Sequence, residues 1–490
     1  MADSDIRFAG FPSAVVYERP VEGKKTGDTP VQHLLWGDWL KLKGPIRGDW
    51  LKVRARGVDG WMHKECVREE PLLEFTFVDV GQGDGCIITT PGDQQIIVDA
   101  GQDDNMFRFL RWRFGQFRSK FTFQSAIITH PDSDHYQGFK KLLEDNNVWF
   151  ETIFHNGIVE RDATGKTNSL GRVQKTGKIR YLRDIVEDSV TLNALSSNKQ
   201  YAKMLKKALG SGRVGNIQML STADGYLPGY GPNEPLHVQV LGPVPEPDSA
   251  GNVRLRWFRS IGKTKNGHSI VVRFQYRNVS VLLGGDLNSE AEHYLLNYYT
   301  GLVSPPDPDK EREYFELARR TFESDVQKSC HHGSSDFTEF LLQAVNPVAT
   351  VVSSGDNEPY SHPRADTLGT IGKFSRGSRP LIFSTELARS AKENIKHPNE
   401  LKEEAKKLAK DVTEAKSEKA KQKAQKALAS LIEKIDRSIA VYGAINLRTD
   451  GNDIIIAQKI ESPRRKDEKW DIYVLKRQQN GRLQYDSKCK

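Results

Sequence analysis

Four side chains that can ligate a metal ion lie close together in the chain, at His130, Asp132, Asp134 and His135. The apolar run 126–128 precedes them and predicts a buried strand that ends where the cluster begins. In an extended backbone the side chains at 130, 132 and 134 point the same way, and His135 adds a ligand in another direction. Imidazole and carboxylate together suit zinc, manganese or iron(II). A cluster of this kind can hold two divalent ions that activate water against phosphoryl or carbonyl groups.

The structural alternative for this stretch is a polar turn whose acids cap a helix. A lone His-x-Asp would fit that alternative. Four ligands directly after an apolar strand favour the metal site instead.

Bulk composition describes a large and highly charged chain. Its 490 residues are enough for two or three domains, and a net charge of +8 favours a polyanionic partner such as nucleic acid. No apolar run approaches the roughly eighteen residues of a membrane span, and the N-terminus lacks the pattern of a secretory signal. The four cysteines are scattered, so we expect a cytoplasmic protein with no membrane partner.

Residues 1–70 alternate short apolar segments with glycine turns and predict a small β-barrel. The stretch from Asp49 to Trp61 resembles a bacterial SH3-like domain. The resemblance implies binding of a protein or of another part of the same chain. The structural alternative is a cap whose core contains Trp36, Trp50 and Trp61.

Three further acids follow predicted strands or Gly-rich turns, in Asp79-Val-Gly-Gln-Gly-Asp84 and in Val98-Asp99-Ala-Gly. Strand ends are where a site on a β-sandwich gathers, and turn capping is the structural alternative. Together with the Thr-His-Pro-Asp-Ser-Asp-His run, these segments are similar to the metallo-β-lactamase domain of bacterial DNA-uptake (competence) proteins. That resemblance covers roughly residues 73–465 without two insertions. It implies an αββα sandwich, an α/β fold with the metals at the edge of the sheets.

The resemblance also implies a set of site residues. Asp99 supports the metal ligands without binding the ions, and Asp79 and Asp84 are expected beside it. Asp132 departs from the His-x-His-x-Asp-His signature of the wider fold, because it stands where the second histidine usually lies. The extra carboxylate favours harder ions such as manganese relative to zinc. Two divalent ions, Zn²⁺ or Mn²⁺, are expected.

Later motifs extend the set. Gly284-Gly-Asp286 matches the carboxylate that bridges both metals, and one of His331 and His332, in a His-His-Gly-Ser motif, is expected to be a ligand. An Asn-x-x-Ser turn matches Asn266 and Ser269. We predict catalytic roles for Asp134, for His362 as a ligand or a general acid and for His268 as a ligand or substrate contact.

Two insertions and a tail complete the prediction. Segment 155–235 is rich in Gly, Ser and Asn and is predicted to be a lid, with His155 at its start as a further candidate ligand. Segment 386–438 is rich in Ala, Lys and Glu and predicts a charged helix or helical hairpin that is either solvated or binds nucleic acid or a partner helix. The hydrolase domain is predicted to span residues 71–465. Residues 466–490 are predicted to be a basic C-terminal tail.

The basic and aromatic segment 106–123 has two interpretations. Its rings and guanidinium groups can clamp single-stranded nucleic acid. An amphipathic helix with its aromatic side packed on the sheet is the simpler interpretation and the one we prefer.

The sequence therefore predicts a metal-dependent hydrolase with a dinuclear site. The resemblance and the positive charge point to a phosphodiesterase or nuclease acting on nucleic acid or nucleotides. The fold also permits an ester, lactone or phosphocholine substrate, or a partner-binding module with a degenerate site.

Overall fold

The computed structural model describes residues 5–165, 167–355, 360–385, 398–415, 417–438, 443–460, 465 and 467–487. Within these ranges, no helix has both the length and the apolar character needed to cross a lipid bilayer. They form an N-terminal sheet, two large sheets packed face to face, a small third sheet and helices outside the large sheets.

The N-terminal unit is one antiparallel sheet with its own small core, in which Leu40, Val53 and Met62 are buried. Its strands are β1 (Ile6–Ala9), β2 (Ser13–Arg19), β3 (Asp28–Leu35), β4 (Trp39–Leu42), β5 (Trp50–Ala55), β6 (Val58–His63) and β7 (Val67–Arg68). The sheet order is β3-β2-β6-β5-β4-β1-β7. The predicted closed barrel is not confirmed, because in the part of the chain that the structure describes the edge strands β3 and β7 do not pair.

The described residues after 70 supply nineteen further strands in three sheets. In chain order they are β8 (Leu73–Phe77), β9 (Gly85–Thr89), β10 (Gln95–Ala100), β11 (Phe121–Ile128), β12 (Val148–His155), β13 (Val173–Thr176), β14 (Ile179–Leu182), β15 (Val214–Met219), β16 (Leu236–Gly242), β17 (Leu255–Arg256), β18 (Val271–Tyr276), β19 (Val279–Leu283), β20 (Val326–Lys328), β21 (Ala349–Val352), β22 (Leu381–Ser384), β23 (Ile445–Thr449), β24 (Ile454–Lys459), β25 (Trp470–Arg477) and β26 (Leu483–Tyr485). The first sheet has the order β15-β12-β11-β10-β9-β8-β23-β24-β25-β26, the second β16-β18-β19-β20-β21-β22, and the small third β13-β14-β17.

Twelve helices lie in the described ranges. They are α1 (Asn105–Arg113), α2 (Ser133–Tyr136), α3 (Phe139–Glu144), α4 (Ser189–Ala194), α5 (Gln200–Gly210), α6 (Ile261–Gly267), α7 (Ser289–Thr300), α8 (Glu311–Phe322), α9 (Glu339–Val345), α10 (Ala365–Phe374), α11 (Pro398–Thr413) and α12 (Glu418–Ser438).

Period-2 alternation in the strands assigns each face of the two large sheets. Ile96 and Val98 of β10 meet Val272 and other residues of the second sheet in a shared core, whereas Ile97 faces the helices α1, α3, α4 and α5. Val271, next to Val272, faces α7, α8 and α9 on the opposite side. The layers therefore run helix, sheet, sheet, helix, and each buried Val or Ile contributes about 1.5–3 kcal/mol.

Helix α1 lies in the segment for which two interpretations were open. Its Met106, Phe109 and Leu110 are buried in the core between the first sheet and its helices. Arg113 pairs with Glu74 at 2.8 Å. These contacts favour the amphipathic helix packed on the sheet, because both the aromatic side and an arginine are engaged within the fold.

Two predicted boundaries need correction. Residues 466–490 are not merely a tail, since β25 and β26 extend the first sheet and bury Leu475 and Leu483. Segment 155–235 is not wholly an insertion, since β15 pairs in parallel with β12 and α5 packs beside it. In both segments a high content of charged and polar residues hides short apolar alternations that only find partners in the folded chain.

The N-terminal unit has a partner within the same chain. Leu35 and Trp36 pack against Ile455 and Ala457 of β24, with Trp470 of β25 beside them. The backbone N–H of Lys469 donates to His33 Nδ1 at 3.0 Å, so polar contacts flank the apolar ones.

The predicted charged helical segment forms α11 and α12, which pack against each other, and α12 also packs on α1. Residues 386–397 and residue 416 of the segment lie outside the described ranges.

Candidate metal centre

The carboxyl ends of four parallel strands bring the predicted ligands together. β10 pairs in parallel with β11 in the first sheet, and β19 pairs in parallel with β20 in the second. His130 follows β11, Asp286 follows β19, and His332 follows β20. Because the two sheets pack face to face, the loops after these strands meet at one edge of the sandwich.

Asp286 lies at the centre of the cluster. Its Oδ2 is 3.3 Å from His135 Nε2, 3.3 Å from His332 Nε2, and 3.9 Å from His130 Nε2 and from His331 Nε2. Asp134 Oδ2 lies 3.7 Å from His332 Nε2. Among the described residues, four groups of three donor atoms lie close enough to share an ion. They are His130–His135–Asp286, Asp134–His135–His332, Asp84–Asp286–His332 and Asp84–Asp99–His135.

The donor set fits divalent ions because several buried ligand atoms have no hydrogen-bond partner. Nε2 of His130, His135 and His332 and Oδ1 of Asp286 are buried and form no hydrogen bond. Their separations from Asp286 exceed the length of a good N–H···O bond, about 2.7–3.2 Å. Burying unpartnered polar atoms costs about 1–3 kcal/mol each, so a cluster of them indicates a ligand that satisfies them together.

Asp99 holds His135 in place. Its Oδ2 lies 2.8 Å from His135 Nδ1 and accepts from the Thr129 hydroxyl at 2.7 Å, while Oδ1 accepts from the Thr129 N–H at 2.8 Å. Asp99 has φ +55°, a left-handed conformation uncommon for a residue with a side chain. The carboxylate fixes the ring so that Nε2 is left for an ion, which is the role that the resemblance implies for this acid.

Asp84 lies within ion-pair distance of His332. Its Oδ1 is 3.1 Å from His332 Nδ1, and its Oδ2 forms a salt bridge with the buried ammonium of Lys328. Lys328 Nζ also lies 4.0 Å from Asp286 Oδ1. The sequence motifs assign no role to Lys328, although a lysine at the end of a strand directly before a histidine motif is a signal, since lysine is almost never buried without a partner.

The His-His-Gly-Ser turn distinguishes its two histidines. His331 and His332 both have positive φ, +49° and +54°, and Gly333 follows at +78°. Consecutive left-handed residues with side chains cost about 1–3 kcal/mol each and cluster at functional sites. His332 is buried within the ligand groups, whereas His331 is partly exposed and its Nε2 lies farther from Asp286. The geometry therefore favours His332 as the ligand.

Asp132 is engaged by donors from α6. It forms a salt bridge with Lys265, and the Asn266 amide, oriented with its nitrogen inward, donates to Asp132 Oδ2 at 3.0 Å. Asp132 Oδ2 also lies 3.5 Å from His130 Nε2, and Lys265 Nζ lies 3.3 Å from Glu160. Among the described residues Asp132 belongs to none of the groups that can share an ion, so its role as a ligand stays a prediction.

Charge coupling is strong throughout the cluster. Burial alone would raise the pKa of Asp286, but His135, His332 and His331 outweigh it and hold that pKa well below its usual range. Burial would lower the pKa of His332, yet Asp286 and Asp84 raise it to about 10. The carboxylates therefore stabilise positive charge at the histidines, and a divalent cation is the natural replacement for those protons.

The remaining predicted residues fall at different distances from the cluster. The ring of His362 lies 5.8 Å from that of His331 and 6.3 Å from that of His332, at the mouth of the site. His268 Nε2–H donates to the carbonyl oxygen of Arg256 at 2.6 Å, so this ring nitrogen is engaged away from the cluster. Asp79 is buried beside Gly443, and His155 lies outside the ligand groups of the described residues. Catalytic roles for His268 and His362 stay predictions.

One glycine is required by close approach of two backbones. Gly83 has φ +102°, and a Cβ there would lie 1.7 Å from the carbonyl oxygen of Asp134. The N–H of Asp84 donates to the same oxygen at 3.3 Å. The loop after β8 can therefore press against the ligand loop only with glycine at this position.

Comparison with known proteins gives limited matches. No family model matches the chain. A stretch of 113 residues, 23% of the chain, is 27% identical to ComE operon protein 3 of Bacillus subtilis (strain 168) and spans 12% of that protein.

Solved structures with some similarity share 12% sequence identity with the chain. A metal-dependent hydrolase of the beta-lactamase superfamily aligns over 64% of this chain and 95% of its own, with a TM-score of 0.32. A CmlA beta-hydroxylase variant aligns over 63% and 50% (TM-score 0.26), and a subclass B3 metallo-beta-lactamase from a soil metagenome library over 53% and 78% (TM-score 0.25). The description of the fold therefore rests on the strand order and packing of this chain.

Proposed function

We propose that this protein is a metal-dependent hydrolase that cleaves phosphodiesters in nucleic acid or nucleotides at a dinuclear centre. The observation that carries the proposal is the convergence of three unpartnered histidine nitrogens on the buried carboxylate of Asp286. A structural polar cluster would pair these atoms with each other, because unpaired buried groups are costly.

The residues divide into two overlapping sets of ligands. His130, His135 and Asp286 would hold one ion and Asp134, His135 and His332 the other, and Asp132 is a further candidate ligand. When bound, divalent ions lower the pKa of water and stabilise the charge that develops on a phosphoryl group. The oxygen-rich donor set accommodates Mn²⁺ as well as Zn²⁺.

The net charge of the chain, +8, favours an anionic substrate. The likeness to ComE operon protein 3, together with the competence-type motifs, supports a nucleic-acid substrate. His362, at the mouth, is positioned to give a proton to a leaving oxygen.

The location proposed for this activity is the cytoplasm. Cys66, Cys86 and Cys330 are free thiols, which suits a reducing compartment.

Metal analysis followed by a substrate panel tests the function. The purified protein should bind up to two divalent ions per chain and hydrolyse at least one of single-stranded DNA, double-stranded DNA, RNA or a cyclic nucleotide. Chelation should abolish hydrolysis, and Mn²⁺ or Zn²⁺ should restore it. Hydrolysis of an ester, lactone or phosphocholine substrate alone would contradict the phosphodiesterase, and absence of bound metal would contradict the hydrolase.

A matched pair of variants tests the assignment of the ligand. His332→Ala should lose metal and activity, because its Nε2 faces Asp286 and Asp134, whereas His331→Ala should keep most of the metal. Metal content of both variants is the measurement. Loss of metal in His331→Ala with retention in His332→Ala would reverse the assignment.

A further inference from the structure

The helical insertion is anchored at the edge of the sandwich that carries the metal centre. β22 runs parallel to β21 and β20, so its last residue, Ser384, lies at the same edge as the histidines after β20. Thr385 Oγ1 donates to the Ser354 carbonyl at 2.7 Å, which fixes the point where the chain leaves the sheet. At the other end Gly443 lies against Asp79, directly after β8. Both ends of the insertion therefore flank the site.

The lysines of its two helices have different surroundings. In α11, Lys406 pairs with Glu403 at 2.6 Å, and Lys410 lies 3.7 Å from Glu414. In α12 the exposed Lys419, Lys423 and Lys426 have helical spacing along one side, with Lys421 nearby. None of these four α12 lysines forms a salt bridge with a carboxylate in the described ranges. The segment 418–431 contains one acid, Glu418, against four lysines, so it carries a net positive charge.

The other basic segment of the chain does not offer the same surface. On α1, Arg113 is paired with Glu74, Arg108 with Asp104, and the Arg111 guanidinium lies over the Phe107 ring. These groups are used within the fold. Of these two basic segments, α12 therefore carries the exposed lysines that form no salt bridge in the described ranges.

The composition of the exposed surface of α12 selects the kind of polyanion. Leu431 is buried and Leu428 is partly buried, and α12 packs on α1 and α11. Lysine, alanine, glutamine and serine make up the exposed positions that the structure describes between 419 and 430. An interfacial membrane helix needs large apolar residues on its lipid side, which this surface lacks. Evenly spread ammonium groups suit sequence-independent contacts with phosphates.

We infer that α12 is a lysine-rich arm that binds the phosphate backbone of a nucleic-acid strand beside the metal centre, so that the substrate is a polymer rather than a single nucleotide. This inference rests on the proposed phosphodiesterase function. The arm contributes affinity along the strand, and the centre acts on the segment that reaches it.

Charge removal on each helix tests the arm with a matched control. The triple variant Lys419→Gln, Lys423→Gln, Lys426→Gln removes three charges from α12, and the double variant Lys406→Gln, Lys410→Gln removes the two paired charges from α11. All five positions are exposed, so both variants should fold. Affinity for a fluorescent single-stranded oligonucleotide is measured at several salt concentrations, and hydrolysis of bis(p-nitrophenyl) phosphate is measured in parallel.

The α12 variant should lower the magnitude of the slope of log affinity against log salt by about 2, because each contact with a single strand contributes about 0.7. The α11 variant should leave the slope nearly unchanged, and both should hydrolyse the small diester at the wild-type rate. Equal slopes for the α12 variant and the wild type would overturn the arm, as would a preference of wild type for anionic vesicles over the oligonucleotide. Failure of wild type to hydrolyse any diester would instead overturn the proposed function, and is read separately from the slopes.

Discussion

Two buried clusters of charged residues differ in whether their polar atoms find partners within the chain. Where the N-terminal unit meets the first sheet, Arg448 lies 2.9 Å from Asp38 and 3.3 Å from Glu74, and donates to the Trp36 carbonyl at 2.7 Å. Arg113 completes the pairing of Glu74. In the metal centre, by contrast, histidine nitrogens around Asp286 converge without hydrogen bonds.

The difference shows that burial and charge do not by themselves indicate a functional site. In the arginine cluster the ends of the side chains meet opposite charges within the chain, so the cluster joins two parts of the fold. In the metal centre the atoms that remain unpartnered are ligand atoms of the type that Zn²⁺ and Mn²⁺ prefer. We therefore expect substitutions in the first cluster to change stability and substitutions in the second to change metal binding.

The largest effect is expected on removal of two ligands. Asp134→Ala with His135→Ala should abolish most metal binding, because the variant lacks two of the side chains whose donor atoms lie close enough to share an ion. Metal content is measured by mass spectrometry, and unfolding is followed with and without added Mn²⁺ or Zn²⁺. Asp103→Ala with His237→Ala is the matched control outside the cluster. Equal metal content in the two double variants would contradict the dinuclear centre.

Next in size is removal of the shared arginine. Arg448→Met should destabilise the protein by about 3–5 kcal/mol, because it leaves buried carboxylates short of a partner. Denaturant unfolding of the metal-free protein measures this change. Arg54→Met, which removes an exposed pair with Asp59, should have little effect. A small effect of Arg448→Met on stability, or a loss of bound metal in that variant, would contradict the expectation that the arginine cluster affects stability and not metal binding.

Acid should weaken the arginine cluster by a smaller amount. Burial would raise the pKa of Asp38 and of Glu74, but the neighbouring arginines outweigh it and lower both. A carboxylate with a lowered pKa in the folded state stabilises the protein above its ordinary pKa, near 4, and this contribution is lost as the pH falls. We expect about 2–3 kcal/mol to be lost between pH 6 and pH 3. Unfolding of wild type and Arg448→Met across this range should show a flatter profile in the variant, and parallel profiles would exclude the coupling.

The smallest effect concerns the carboxylates that orient the ligand histidines. Asp99→Asn and Asp84→Asn should each weaken metal affinity about 10–100-fold without abolishing it, because the histidines remain but are held less firmly. Titration calorimetry with Mn²⁺ or Zn²⁺ measures the affinity. Asp104→Asn, on α1, is the control for a carboxylate paired only with Arg108. Unchanged affinity in both test variants would show that the contacts at Nδ1 do not support the centre.

Local patterns were sufficient for a large part of the site. The apolar runs before His130 and Asp286 predict strands that end at ligands, and the structure places both ligands after strands β11 and β19. The charged composition of 386–438 predicts helices, which form as α11 and α12. Such predictions succeed because alternation and helical spacing are properties of neighbours in sequence.

Other features depended on contacts between distant segments. The closed N-terminal barrel was not confirmed, and the segment predicted to be a tail contains strands β25 and β26. Strand pairing joins segments that are distant in sequence, so local patterns do not indicate which strands will pair. Lys265 meets Asp132 only when α6 packs over the loop after β11, and nothing near either residue in the sequence indicates that contact.

The sequence by itself determined the types of ligand, the strands that carry them and the positive charge of the inserted helix. Tertiary structure alone decided that His332 lies closer to Asp286 than His331 does, that Lys328 is buried against Asp84, and that the N-terminal unit docks through Arg448. The physical reason is that residue types and local periodicity are properties of neighbouring residues in the sequence. The distances between ligand atoms are set by how the two sheets and their loops pack.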